Sequence, residues 1–244
     1  MLIKVINPNT TESMTRQIGA AAASVAAVGT TILAVSPSMG PASIESHYDE
    51  ALAVPGILRE IERGESDGVD GYVLACFGDP GLDPARELAR GPVVGIAEAA
   101  MHAASFLGRS FTVVTTLSRT AGRAWDLAEH YGFGRRCANV RACDVPVLDL
   151  EDPAGDAFGR IAAECELAVT ADGADVIVLG CAGMADLCRQ LSTLVGVPVV
   201  DGVAAAVKQV EGLVAMGLQT SARGEFAPPP RKSYSGLLRE FAVV

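Results

Sequence analysis

Apolar and polar residues are grouped in blocks along this chain rather than scattered. Mostly apolar runs occupy 2–6, 31–35, 71–75 and 92–96, and the stretches between them place apolar residues three and four apart. Short continuous runs predict strands buried on both faces, and the spaced stretches predict helices, here at about 12–27, 44–62, 84–89 and 97–107. From residue 111 the pattern begins again. Strands are expected at 111–114, 175–179 and 197–200, with shorter candidates at 139–142 and 145–148. Helices are expected up to about 131 and at 153–172, 185–194 and 202–216. Thr10 or Thr11 is the expected N-cap of the first helix. Asn7 and Asn9, in the loop before it, either shape that turn or meet a ligand beyond the first strand. The small-residue loop 36–43 reads as a plain connection or as a flap over a site. His102 is expected to be a packed helix residue. The tail beyond about 220 reads as a surface extension whose last turn, 237–241, packs back on the body.

The second round repeats the first. Val73-Leu74-Ala75-Cys76-Phe77-Gly78-Asp79-Pro80-Gly81-Leu82 matches Val178-Leu179-Gly180-Cys181-Ala182-Gly183-Met184-Ala185-Asp186-Leu187, 105 positions later, at Val, Leu, Cys, Gly and the closing Leu. Pro92-Val93-Val94 matches Pro198-Val199-Val200, and Ile6-Asn7 matches Val114-Thr115, at similar spacings. A shift held at three places implies duplication of an α/β unit. Alternating strands and helices predict a mostly parallel sheet in each half. The expected class is therefore α/β, with two pseudo-symmetric lobes and a site in the cleft between them. Lobe 1 would comprise 1–97 with a return of about 203–244, and lobe 2 would comprise 98–202.

Composition narrows the partners. The 244 residues carry 29 acidic and 19 basic side chains, a net charge of −10, and no basic run or basic-aromatic patch, which argues against nucleic acid. No window approaches about 20 uninterrupted apolar residues, so no membrane span is expected. The first residues lack a signal-peptide pattern. The expected location is the cytoplasm, where the six cysteines stay as thiols. No cysteine pair has CxxC spacing and the three histidines form no metal motif, so no metal is expected. Cys137, Cys143, Cys165 and Cys188 read as structural.

Cys76 and Cys181 stand apart because their placement is matched. Each closes a strand, where α/β folds place their ligands. Each also precedes a helix-like stretch, whose N-terminus would favour thiolate over thiol. Two lobes facing one another would aim the two sulfurs at a ligand from opposite sides. Inversion of a carbon centre needs that arrangement: one face loses a proton to a thiolate and the other receives one from a thiol. Backbone N–H groups at Phe77-Gly78 and Ala182-Gly183 could stabilise the enolate. No cofactor is expected: the three lysines lie in no Schiff-base motif, and no phosphate-cradling glycine loop is present.

The segments 6–10, 40–45, 75–82, 95–102 and 178–184 together resemble the hydantoin and allantoin racemases of the wider aspartate/glutamate racemase superfamily. The resemblance runs to about residue 221. It implies two Rossmann-like lobes, assembly into a homo-oligomer, and cofactor-independent two-base racemisation at C5 of a small hydantoin substrate, with Cys76 and Cys181 as the bases. It further implies that Asn7, Ser43, Phe77, Gly78, Thr116, Ala182 and Gly183 contact the ring. The amino-acid branch of the superfamily typically carries Cys-Asn-Thr at the first cysteine and Gly-Cys-Thr at the second. Here Phe77-Gly78 and Ala182-Gly183 stand in those places, which favours a neutral ring over a free amino acid. Other readings are an aspartate/glutamate-type racemase, a maleate isomerase, an arylmalonate decarboxylase, or a non-catalytic two-lobe metabolite sensor. Paired thiols weigh against the last two.

Overall fold

Eight strands fall into two sheets of four. The computed structural model describes residues 1–152 and 155–242. β1 (Leu2–Ile6), β2 (Thr31–Val35), β3 (Gly71–Leu74) and β4 (Val93–Gly95) form one sheet, in the order β2-β1-β3-β4. β5 (Phe111–Thr115), β6 (Cys137–Ala142), β7 (Val176–Gly180) and β8 (Val199–Val200) form the other, in the order β6-β5-β7-β8. Every pairing is parallel. The two orders are one order, so the repeat in the sequence is a repeat in topology. β3, β5 and β7 are buried at every position, as parallel strands covered on both faces must be, which is why they read as largely apolar runs. β2, an edge strand, alternates in exposure.

The helices are α1 (Glu12–Val25), α2 (His47–Asp67), α3 (Leu82–Leu88), α4 (Ile96–Leu107), α5 (Ala121–His130), α6 (Ala157–Thr170), α7 (Cys188–Val195) and α8 (Gly202–Ala215). The last helix of each half crosses over. α4 leaves the first sheet and packs on β7 of the second, α8 leaves the second and packs on β3 of the first, and the two helices pack on each other. One apolar core consequently runs through both halves, from Ile3, Val5 and Val73 through Ala97 and Ala100 to Val113, Val178, Val203 and Val207.

The helix crossing is tight at Gly202. A Cβ there would lie 2.6 Å from the Ile96 carbonyl oxygen and 2.9 Å from Ile96 Cβ. Because the closest obstacle is backbone, the two helices would have to separate. Gly202→Ala should cost about 1–3 kcal/mol, read as a lowered urea midpoint at unchanged slope.

Lys4 lies inside β1 at 2% exposure. Its Nζ pairs with Glu60 Oε2 at 2.8 Å and donates to the Glu60 carbonyl at 2.8 Å, while Glu60 Oε1 accepts from Arg63 Nη1 at 2.6 Å. α2 is thereby fastened to the centre of the first sheet.

Several expected boundaries move. The strand expected at 145–148 gives way to a 3-10 turn, Val147–Glu151. Asp144, with φ of 50°, turns the chain there, and Pro146 has no N–H for a ladder. After Cys181 comes a 3-10 stretch, Ala182–Leu187, and α7 starts only at Cys188. α2 starts at His47 because Ser46 takes the cap, accepting from Asp49 N at 3.2 Å. α6 starts at Ala157, where Asp156 accepts from Gly159 N; Pro153, the expected start, lies outside the described residues. Thr11 stands at the N-cap of α1 without a side-chain cap, its hydroxyl instead donating to the Ala42 carbonyl at 2.7 Å. His102 is exposed rather than packed, with its ring edge-on to Phe133. The last turn, Gly236–Phe241, lies on α2, with the Arg59 guanidinium 4.5 Å above the Phe241 ring and 2.9 Å from Glu240. Among the described residues no helix is long and apolar enough to cross a membrane.

Candidate active site

The carboxyl ends of β1, β3, β5 and β7 converge on one cleft. Asn7 follows β1, Ala75 and Cys76 follow β3, Thr115 and Thr116 close β5, and Gly180 and Cys181 close β7; all of them line it. Parallel sheets leave their strand ends open to ligands on this side, and two sheets meeting there enclose the space from opposite directions.

The two cysteine turns have the same construction. The Cys76 carbonyl accepts from Asp79 N at 3.0 Å, and the Cys181 carbonyl accepts from Met184 N at 3.1 Å. The Gly78 N–H donates to the Cys76 sulfur, and the Gly183 N–H to the Cys181 sulfur. Both sulfurs are free thiols. The helix-terminus expectation for them is corrected here. Burial pushes the Cys76 thiol up to about 12, against the pull of the Gly78 N–H, with Glu50, Cys181 and Asp79 adding to the rise. Burial likewise pushes Cys181 up to about 11, against the Gly183 N–H. The physical reason is desolvation: α3 starts only six residues beyond Cys76, and the 3-10 turn that begins directly after Cys181 offers its sulfur a single N–H, from Gly183. One backbone N–H does not offset the desolvation of a buried anion.

The unliganded protein therefore carries both groups as thiols at neutral pH. Alkylation of Cys76 and Cys181 by iodoacetamide should rise about tenfold per pH unit from 7 to 9, because only the thiolate reacts. Peptide mass spectrometry would follow each site. A plateau in that range would contradict the raised values.

The remaining expected contacts divide. Phe77, Gly78, Thr116 and Ala182 line the cleft with the cysteines, as does Asn7. Asn7 is almost fully engaged by protein, its Nδ2 donating to Asn9 Oδ1 at 2.8 Å and to Thr15 Oγ1 at 2.9 Å. Gly183 stands behind Cys181, outside the cleft lining. Ser43 is also outside it, while its neighbours Ile44 and Ser46 are part of it. The 36–43 loop is tied down: the Pro41 carbonyl accepts from Thr10 N, and the Ala42 carbonyl from Thr11 Oγ1.

Two charged residues of the cleft escaped sequence reasoning. Arg123, on α5, reaches across from the second half and donates from Nη2 to the Gly78 carbonyl at 2.7 Å. Its Nε lies 3.5 Å from Glu50 Oε2, on α2 of the first half. Burial raises the Glu50 carboxyl, against the pull of Arg123. Glu50 is one of two acids in the first turn of α2, and Arg123 carries no signal in the sequence, because only the packed lobes bring α5 to the first cysteine. A second bridge joins the halves where Glu45 Oε1 accepts from Val147 N at 2.9 Å. Among the described residues no three His, Cys, Asp or Glu side chains gather as a metal site.

Two partly buried thiols on equivalent turns thus line one cleft. The family model for Asp/Glu/hydantoin racemases matches residues 3–210. The hydantoin racemase of Pseudomonas sp. (strain NS671) is 48% identical over 241 residues, spanning 99% of this chain and 97% of its own. An allantoin racemase from Klebsiella pneumoniae superposes with a TM-score of 0.97 at 53% identity, over 99% of each chain. An allantoin racemase from Pseudomonas fluorescens superposes with a TM-score of 0.93 at 41% identity, over 97% of this chain and 100% of that one. The chain belongs to the Asp/Glu/hydantoin racemase family and, as a member of it, is an isomerase.

Proposed function

We propose that this enzyme inverts C5 of 5-substituted hydantoins, allantoin foremost, without a cofactor, using Cys76 and Cys181 on opposite faces of the ring. The observation that carries the reading is the pairing of the thiols: two equivalent turns from two equivalent sheets put their sulfurs in one cleft. One cysteine, as thiolate, takes the C5 proton. The other, as thiol, delivers a proton to the opposite face, and the roles exchange for the other enantiomer. The burial that keeps both groups protonated in the free protein makes either thiolate a strong base once formed. The Gly78 and Gly183 N–H groups serve the sulfurs. The Phe77 and Ala182 amides, one residue nearer each cysteine, are assigned to the ring oxygens, where enolate charge develops.

The two cysteine turns favour a neutral ring. Phe77 and Ala182 bring no side-chain polar group, so neither turn offers a grip for an α-carboxylate and ammonium. The test is the circular dichroism of enantiopure allantoin, enantiopure 5-benzylhydantoin and L-aspartate, each incubated with enzyme in the absence of metal and pyridoxal phosphate. Decay to zero with a hydantoin and none with aspartate is expected. Decay with aspartate alone, or with none of the three, would overturn the reading. The homo-oligomeric state implied by the resemblance and the expected cytoplasmic location belong to the same proposal.

A further inference from the structure

The two cysteine turns differ at one carboxylate. In the second half, Asp201 is the N-cap of α8 and accepts from Val203 N at 2.9 Å and Ala204 N at 3.0 Å. The corresponding N-cap of α4 in the first half is Gly95, which has no side chain to do this. Its helix is capped all the same. Asp79 Oδ1 accepts from Ala97 N at 3.1 Å, and Oδ2 accepts from Glu98 N at 2.9 Å. A Cβ built on Gly95 would run into the Asp79 carboxylate. The capping carboxylate therefore sits on the Cys76 turn and not on the helix it caps. The residue corresponding to Asp79 in the Cys181 turn is Met184, fully buried in the apolar core of the second half.

That relocation ties down the turn. Asp79 N closes the turn on the Cys76 carbonyl, and its backbone is left-handed, with φ of 44°, a conformation uncommon outside glycine that aspartate adopts more readily than most residues. The side chain supplies the hold: two helix N–H groups, and the Tyr131 hydroxyl from the second half at 2.7 Å. Glu98, itself paired with Arg86 at 2.6 Å, is the other charge facing it. Asp79 lies outside the lining of the cysteine cleft. Met184 closes the same turn without positive φ and without a polar anchor.

We propose that Asp79 is a positioning residue for Cys76 alone, so that the two halves of the proton transfer depend on different anchors. The chemistry of this inference rests on the two-cysteine reading above. Burial pushes the Asp79 carboxyl up to about 7, against the pull of the Glu98 N–H, the Tyr131 hydroxyl and the Ala97 N–H.

The test separates the capping role from the positioning role. Asp79→Gly keeps the left-handed backbone but removes both roles. Asp79→Gly combined with Gly95→Asp moves the carboxylate to the helix itself, as in the second half, and restores only the cap. The probe reactions are the initial rates of fluoride release from each enantiomer of 5-(fluoromethyl)hydantoin. There a single thiolate takes the C5 proton and the C–F electron pair leaves as fluoride, giving 5-methylidenehydantoin. Cys76→Ser and Cys181→Ser identify which enantiomer each cysteine serves.

Asp79→Gly should slow the Cys76 enantiomer at least tenfold and leave the other within about twofold. The double variant should regain the wild-type unfolding midpoint without regaining the lost rate. Equal loss with both enantiomers, or recovery of rate along with stability, would overturn the proposal. Iodoacetamide rates at the two cysteines give the same comparison without turnover: a several-fold change at Cys76 only, in both variants, is expected, and an unchanged Cys76 rate would overturn it. If the wild-type protein releases no fluoride and racemises no hydantoin, the functional reading fails, and the alkylation comparison still decides the role of Asp79.

Discussion

Replacing Cys181 by Ser, or Cys76 by Ser, should lower kcat/KM for racemisation of either enantiomer of allantoin by about 10³–10⁴-fold. Each turnover needs one group to accept and the other to donate, so losing either stops both directions. Serine keeps the shape and a hydroxyl, but its proton is far too tightly held to replace the thiol. The double variant should be scarcely slower than either single one, because groups that act as a unit are not additive. Circular dichroism of the substrate measures the rates, and far-ultraviolet circular dichroism of the proteins checks that each variant is folded. Retention of more than a tenth of the activity in either single variant would mean that one cysteine is not a base.

The second large effect is on stability. Glu60→Leu should destabilise the fold by about 3–5 kcal/mol, because it leaves the Lys4 ammonium buried in β1 with no counter-charge. Lys4→Met should cost less, about 1–3 kcal/mol, since Glu60 keeps Arg63 at 2.6 Å. The pair Lys4→Met/Glu60→Leu should recover most of the loss, as replacing both members of a buried pair by apolar groups often does. Urea unfolding of the four proteins would establish the order. A Lys4→Met variant less stable than Glu60→Leu would contradict it.

The sequence made some of this plain and concealed the rest. Strands covered on both faces need largely apolar runs, so β3, β5 and β7 could be read directly, and the spacing of Cys76 and Cys181 disclosed both the duplication and the pair of thiols. Lys4 did not break the reading of β1 as a buried strand, but nothing near it in the chain pointed to Glu60, 56 residues away. Arg123 and Glu50 were hidden for the same reason: a contact between lobes leaves no local pattern. The raised thiols could not be read locally, because their desolvation depends on the whole packed cleft. One backbone N–H at each sulfur does not offset that desolvation. Asp79 was visible only as one letter of a turn, since its partners on α4 and at Tyr131 are 18 to 52 residues away.

The exchange of α4 and α8 has a consequence for symmetry. Contacts in which the first half's helix covers the second half's sheet, and the reverse, are the reciprocal contacts of an isologous interface. A single unit of this kind would pair with a copy of itself and hold two identical cysteines across its axis. Such a pair would have to treat both faces of a ring in the same way. Linking the units into one chain lifts that obligation. A residue on one side can then change while its counterpart stays, so that a carboxylate can sit at Asp79 on one side and at Asp201 on the other.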